Sequence, residues 1–158
     1  MKTIIAVALV AAVMGSAAHV ASAARHPDFN RSAVALATRA AGRPVVIQCE
    51  TAEALRDRTA AYALAYVVLD GTSVVHAGPT VCGWLAYPKS PTTYGQAILA
   101  LIHEAMHLRY NSVDEALTER RALDAFPALV RAYFPGMNQS ALLWGARRLD
   151  WMIVGGHH

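Results

Sequence analysis

The sequence predicts an α+β domain in which a short sheet precedes a helical half. Three observations carry this. Asp70-Gly71 sits between two β-rich runs, the strongest short-range signal for a hairpin. After residue 91 the apolar residues recur at helical rather than alternating spacing. The strand patterns all fall before residue 78 and the long helical ones after it, where a parallel α/β fold would alternate them throughout.

In chain order, residues 1–23 read as an export leader. Lys2 gives a minimal positive start, residues 4–14 are apolar, and Ala21-Ser22-Ala23 is an A-x-A cleavage site. The apolar run is too short and too rich in small residues for a membrane span. The mature chain is expected to begin near Ala24, leaving residues 24–158 as one domain with room for a single core. Residues 30–41 read as a helix, with Asn30 as N-cap and Gly42 as the glycine that ends it. Residues 44–49 read as a buried strand, and residues 51–55 as a short helix start. Residues 63–69 and 73–76 form the hairpin strands. Gly78-Pro79 reads as a break, with Thr80 capping a short helix that carries Cys82, Trp84 and Leu85. Thr92 or Thr93 caps the next helix, which runs to about Tyr110. After a three-residue turn, Asp114 caps another helix that Pro127 is expected to end or kink. A last helix covers residues 138–154.

Charge excludes one class of function. The formal net charge of +3 falls to +2 when Lys2 leaves with the leader, and the arginines form no stripe. That does not suit a nucleic-acid binder held by phosphate contacts. Cys49 and Cys82 are the only cysteines, and an even count in an exported chain predicts one disulfide. The expected location is therefore secreted or cell-envelope associated, with no stable membrane span once the leader is cut.

The chemistry concentrates in His103-Glu104-Ala105-Met106-His107, an HExxH motif inside an apolar helical run. Two His at i and i+4 lie on one helix face, the spacing at which two imidazoles grip one Zn²⁺. Glu104 stands where zinc-peptidase helices hold their general base. Burying three polar side chains in such a helix is costly unless they are partnered.

This motif, followed by Asp114-Glu115-Ala116-Leu117-Thr118-Glu119, resembles the zincin metallopeptidases, and among them the gluzincin branch, in which a Glu on a second helix completes the zinc site. The longer string over residues 94–125 also resembles small secreted actinobacterial proteins. Val113 stands where the metzincin branch has a third His, so that branch is not matched. The resemblance implies a small zincin-like domain with Zn²⁺ and a peptide or protein substrate. It also implies a sheet edge that takes an extended peptide, for which residues 73–76 are the expected strand.

The third ligand has two readings. In a symmetric antiparallel helix pair, residue 119 faces residue 107, which puts Glu119 level with the two His and makes it the expected ligand. The register implied by the resemblance instead makes Glu115 the ligand and Glu119 its support. The chemistry implied is hydrolysis by metal-activated water with Glu104 as base. His76, Arg109 and Tyr110 are the donors considered for a developing oxyanion. The alternative is a non-catalytic exported protein that keeps the fold, with its metal structural or absent.

Overall fold

The computed structural model of the chain describes residues 4–8, 27–59 and 63–154. Helix α1 (Pro27–Ala41) ends at Gly42, which takes φ +69°, the left-handed conformation a glycine adopts without penalty. Strand β2 (Val46–Cys49) leads to α2 (Ala52–Arg58), capped by Thr51, whose hydroxyl accepts the Ala54 N–H at 3.1 Å. The hairpin pairs β3 (Ala63–Val68) with β4 (Val74–Ala77), antiparallel. In its turn, Gly71 has φ +92° and the Asp70 carboxylate accepts the Thr72 N–H at 3.0 Å. Four helices follow: α3 (Pro79–Ala86), α4 (Pro91–Tyr110), α5 (Glu115–Tyr133) and α6 (Gln139–Val154). The α+β class and the order of its halves are as expected.

The sheet departs from expectation at three places. It has four strands ordered β1-β3-β4-β2, where β1 is Ile4–Ala8, paired antiparallel with β3. Those residues belong to the expected leader; the rest of the leader, including the cleavage site, lies outside the described residues. β4 is an interior strand, because β2 adds to it in parallel through Gln48 opposite His76. The docking strand expected at residues 73–76 is therefore flanked on both sides. And β2 is no buried strand: it is an edge, with Val46 62% exposed.

Prolines account for most of the shifted helix ends. Pro79 and Pro91, read as a break and as loop, each open a helix instead. A first-turn N–H has no partner inside the helix, so proline loses nothing there and arrives with φ already set. The caps are accordingly Gly78 and Ser90, the latter accepting the Thr93 N–H at 3.2 Å, in place of Thr80 and Thr92 or Thr93. α1 likewise starts before Asn30. Pro127 does not end α5, which continues to Tyr133. Asp114 caps α5 as expected, accepting the Leu117 N–H at 2.9 Å.

α4 is the core of the molecule. Every residue from Tyr94 to Leu108 is buried. It is surrounded by α1, α3, α5 and α6 and by the inner sheet face of β3 and β4. Its crossing with α6 is close enough to need glycine on both helices. A Cβ on Gly95 would lie 2.2 Å from the Leu142 carbonyl oxygen, and one on Gly145 would lie 2.4 Å from that of Thr92. Cys49 and Cys82 form the expected disulfide, tying β2 to α3. Among the described residues, no helix is long and apolar enough to cross a membrane.

Candidate metal centre

His103, Glu104 and His107 ride on the buried face of α4, and α5 brings Glu115, Thr118 and Glu119 against them. The pair is set by the turn between the helices. Asn111 takes a left-handed conformation (φ 47°) as the α4 C-cap, with its N–H bonded to the His107 carbonyl. Ser112 follows and turns its own carbonyl back onto the His107 ring, where Nδ1 donates to it at 2.7 Å. Thr118 Oγ1 lies 3.4 Å from the same nitrogen. On His103, Nδ1 donates to the Glu119 carboxylate at 2.6 Å.

These two bonds settle where the ring protons are. A carbonyl and a carboxylate can only accept, so each Nδ1 carries its hydrogen and each neutral ring presents a lone pair at Nε2. The two Nε2 atoms lie 2.9 Å apart, and the Glu115 carboxylate is 3.0 Å from His103 Nε2 and 3.4 Å from His107 Nε2. Three acceptor atoms thus converge on one point, an arrangement that only a shared cation stabilises. A proton answers part of the need. Burial pushes the His103 imidazolium toward neutrality, but its hydrogen bonds to Glu115 and Glu119 outweigh this and raise its pKa to about 10. For Glu115, burial pushes the pKa up and the two His hold it down, to about 2.

A divalent ion fits the same point. Donor atoms about 2.0–2.2 Å from a tetrahedral ion stand about 3.3–3.6 Å from one another. The Glu115–His107 distance of 3.4 Å falls in that range and the other two, 2.9 and 3.0 Å, are shorter; His103, His107 and Glu115 form a group that could hold a metal ion. Glu119 does not join it. Its carboxylate lies on the Nδ1 side of His103 and holds the ring in place, the kind of support that fixes tautomer and orientation in metal sites. The metal-side position expected of Glu119 is taken by Glu115. Glu115, in the first turn of α5, reaches both rings, while Thr118 lies against His107 and Glu119 against His103. The two helices do not pair in the symmetric register in which residue 119 faces residue 107: Glu119 meets His103 instead.

Glu104 is 1% exposed, and its Oε2 has no hydrogen-bond partner among the described residues. Burial raises its pKa to about 7 against the opposing pull of the two His. Glu119 Oε1 is likewise buried without such a partner. Glu115 is the open side of the cluster, its side chain 46% exposed.

The oxyanion donors considered from sequence are engaged elsewhere. His76 alternates along β4 with the core residues Val75 and Ala77, so it lies on the opposite sheet face. There it contacts Glu50 through Nδ1 at 2.6 Å and stacks on Tyr66. Arg109 donates to the Ala40 carbonyl at 3.3 Å, and the Tyr110 ring lies under the Arg121 guanidinium, 3.8 Å away. Ser112 and Thr118 were not singled out from sequence. The only signal was position: a turn residue directly after a helix that ends in a metal-spaced His, and a Thr between the two acidic residues.

Comparison with family models, with curated proteins and with solved structures finds no match to this chain.

Proposed function

We propose that the protein is a zinc-dependent hydrolase of peptide or related amide bonds, related to the zincins. The observation that carries this reading is the convergence of three lone pairs, from His103, His107 and Glu115, with both remaining ring protons committed to Ser112 and Glu119. His103, His107 and Glu115 would hold the ion. When bound, zinc supplies a Lewis acid and lowers the pKa of water toward neutrality. Glu104 is suited to take a proton near neutral pH and pass it to a leaving amine, because its carboxyl is held near the operating range by burial. Glu119 and the Ser112 carbonyl keep the two rings oriented.

A second reading has its own support. Glu104 is almost fully enclosed, so a metal at this site can also serve the fold alone. One experiment separates the two. Wild type and Glu104→Gln are loaded with equal zinc and given a peptide library. The hydrolase reading expects the variant to keep zinc and fold but lose about 10²–10⁴-fold in rate, the usual loss with a general base. Zinc bound at one per chain with no cleavage by either protein selects the structural reading. Failure to bind zinc at all removes both.

A further inference from the structure

The outer edge of β3 points to a partner. Leu64 turns its carbonyl to β4, where it accepts the Gly78 N–H at 2.8 Å. In an antiparallel strand successive residues address opposite neighbours, so Ala65 and Val67 turn their N–H and C=O groups to the other side. There Ile4–Ala8 pairs with them, Ile5 opposite Val67 and Ala6 opposite Tyr66. The strand that completes the sheet is thus drawn from the apolar stretch of the expected leader, ahead of Ala21-Ser22-Ala23.

Export that cuts after Ala23 removes this neighbour. β3 is then an edge strand reading Ala-Leu-Ala-Tyr-Val-Val, with no charge, no proline and no glycine. Proteins protect open edges with charges, prolines, bulges or short strands; β3 has neither charge nor proline, and its irregularity on this side is the register shift at Leu64-Ala65. The opposite edge differs: β2 has only four residues, follows Pro44 by two positions, and is bounded by Glu50. One edge is adhesive and the other is not, so self-pairing closes as a pair of chains instead of growing into a fibre.

We propose that in the exported form β3 pairs antiparallel with β3 of a second copy about a two-fold axis. The occupant follows from chemistry and direction. β1 is a short uncharged strand of Ile, Ala and Val running antiparallel to β3. A second β3 is a strand of the same kind, presented antiparallel by two-fold symmetry and supplied in equal amount. This inference is independent of the metal reading and survives its failure.

The test uses the form isolated from culture medium, with its N-terminus sequenced and its mass measured by sedimentation equilibrium. The expected result is a chain beginning after Ala23 with the mass of two copies. Adding a synthetic peptide of residues 1–10 is expected to convert it to single chains that each hold one peptide. Ala65→Pro is expected to give single chains, because proline removes an N–H that does not face β4. If that variant fails to fold, the peptide competition decides alone. An exported chain that retains residues 4–8 overturns the proposal. So does a single-copy mass without peptide, or a pair that the peptide leaves intact. A lone chain that captures the peptide overturns the second-copy occupant as well.

Discussion

Replacing Glu115 and Glu119 separately by alanine tests the geometry of the centre most directly. Glu119→Ala removes the acceptor of a 2.6 Å bond from His103 Nδ1, with both groups nearly free of solvent. A hydrogen bond to a charged group contributes about 1.5–3 kcal/mol, and 1.4 kcal/mol is tenfold in affinity. The expected loss of zinc affinity is therefore about 10- to 150-fold, in line with the usual effect of losing a carboxylate behind a ligating His. Glu115→Ala removes a ligand atom and the negative charge nearest the ion. Because Glu115 is the exposed member of the cluster, water can take its place, which limits the damage but supplies no charge. The loss should exceed that of Glu119→Ala, beyond about 100-fold. The assay is competition with a chromophoric chelator at one pH and ionic strength, with circular dichroism to check the fold. If Glu119→Ala is the weaker binder of the two, the convergence of Glu115 on both Nε2 atoms does not describe the metal-bound state.

Metal-free protein should lose stability as pH rises. His103, with its folded pKa raised from 6.5 to about 10, contributes stability that is full below about pH 6.5 and lost as pH climbs through 10. Glu104, raised from 4.5 to about 7 by burial, opposes folding increasingly from about pH 4.5 to 7 and by a constant amount above. Glu115, lowered to about 2, contributes stability above 4.5 that is lost as pH falls through 2. Urea midpoints of metal-free protein should thus be highest near pH 4.5 and fall toward pH 9; a midpoint that climbs over that range would contradict the assignment. Gly95→Ala should destabilise by about 1–3 kcal/mol or more, because its new Cβ meets the Leu142 carbonyl at 2.2 Å. Gly83→Ala, in a helix with nothing within 4 Å, should instead gain about 0.5–1 kcal/mol, so the contrast between the two in denaturant melts is the check. Replacing both Cys49 and Cys82 by serine should cost about 3–4 kcal/mol in the chain-entropy account of a loop closed over 33 positions. Unchanged thermal unfolding of that variant would show that the staple adds nothing.

Much of this was legible in the chain because the signals were local. The Asp114 cap, the Asp70-Gly71 turn and the glycine after α1 each depend on a few neighbouring residues and stand as read, and His103 and His107 share one buried helix face. What the sequence hid was non-local or two-valued. An apolar run such as residues 4–8 suits an export leader and a β-strand alike, and its pairing with β3 leaves no mark at short range. The parallel addition of β2 to β4 leaves no mark at short range, and it alone makes β4 interior. Proline was read as punctuation, although its meaning depends on whether the next turn finds a partner to pack on. The choice between Glu115 and Glu119 turned on the register of the α4–α5 pair, which the length of the turn between them does not encode.

The enclosure of α4 has a consequence for how the site can be reached in time. A helix covered along 15 successive residues has no face on which to fray, so its amides are expected to exchange with solvent only when the whole domain opens. Both His rings sit on that helix, whereas Glu115 sits at the start of α5, near the surface. An ion that binds only the folded chain adds RT ln(1 + [L]/Kd) to the free energy of that opening. Zinc should then slow exchange across α4 uniformly, and its own release should proceed in step with the slowest-exchanging amides unless Glu115 lets go first.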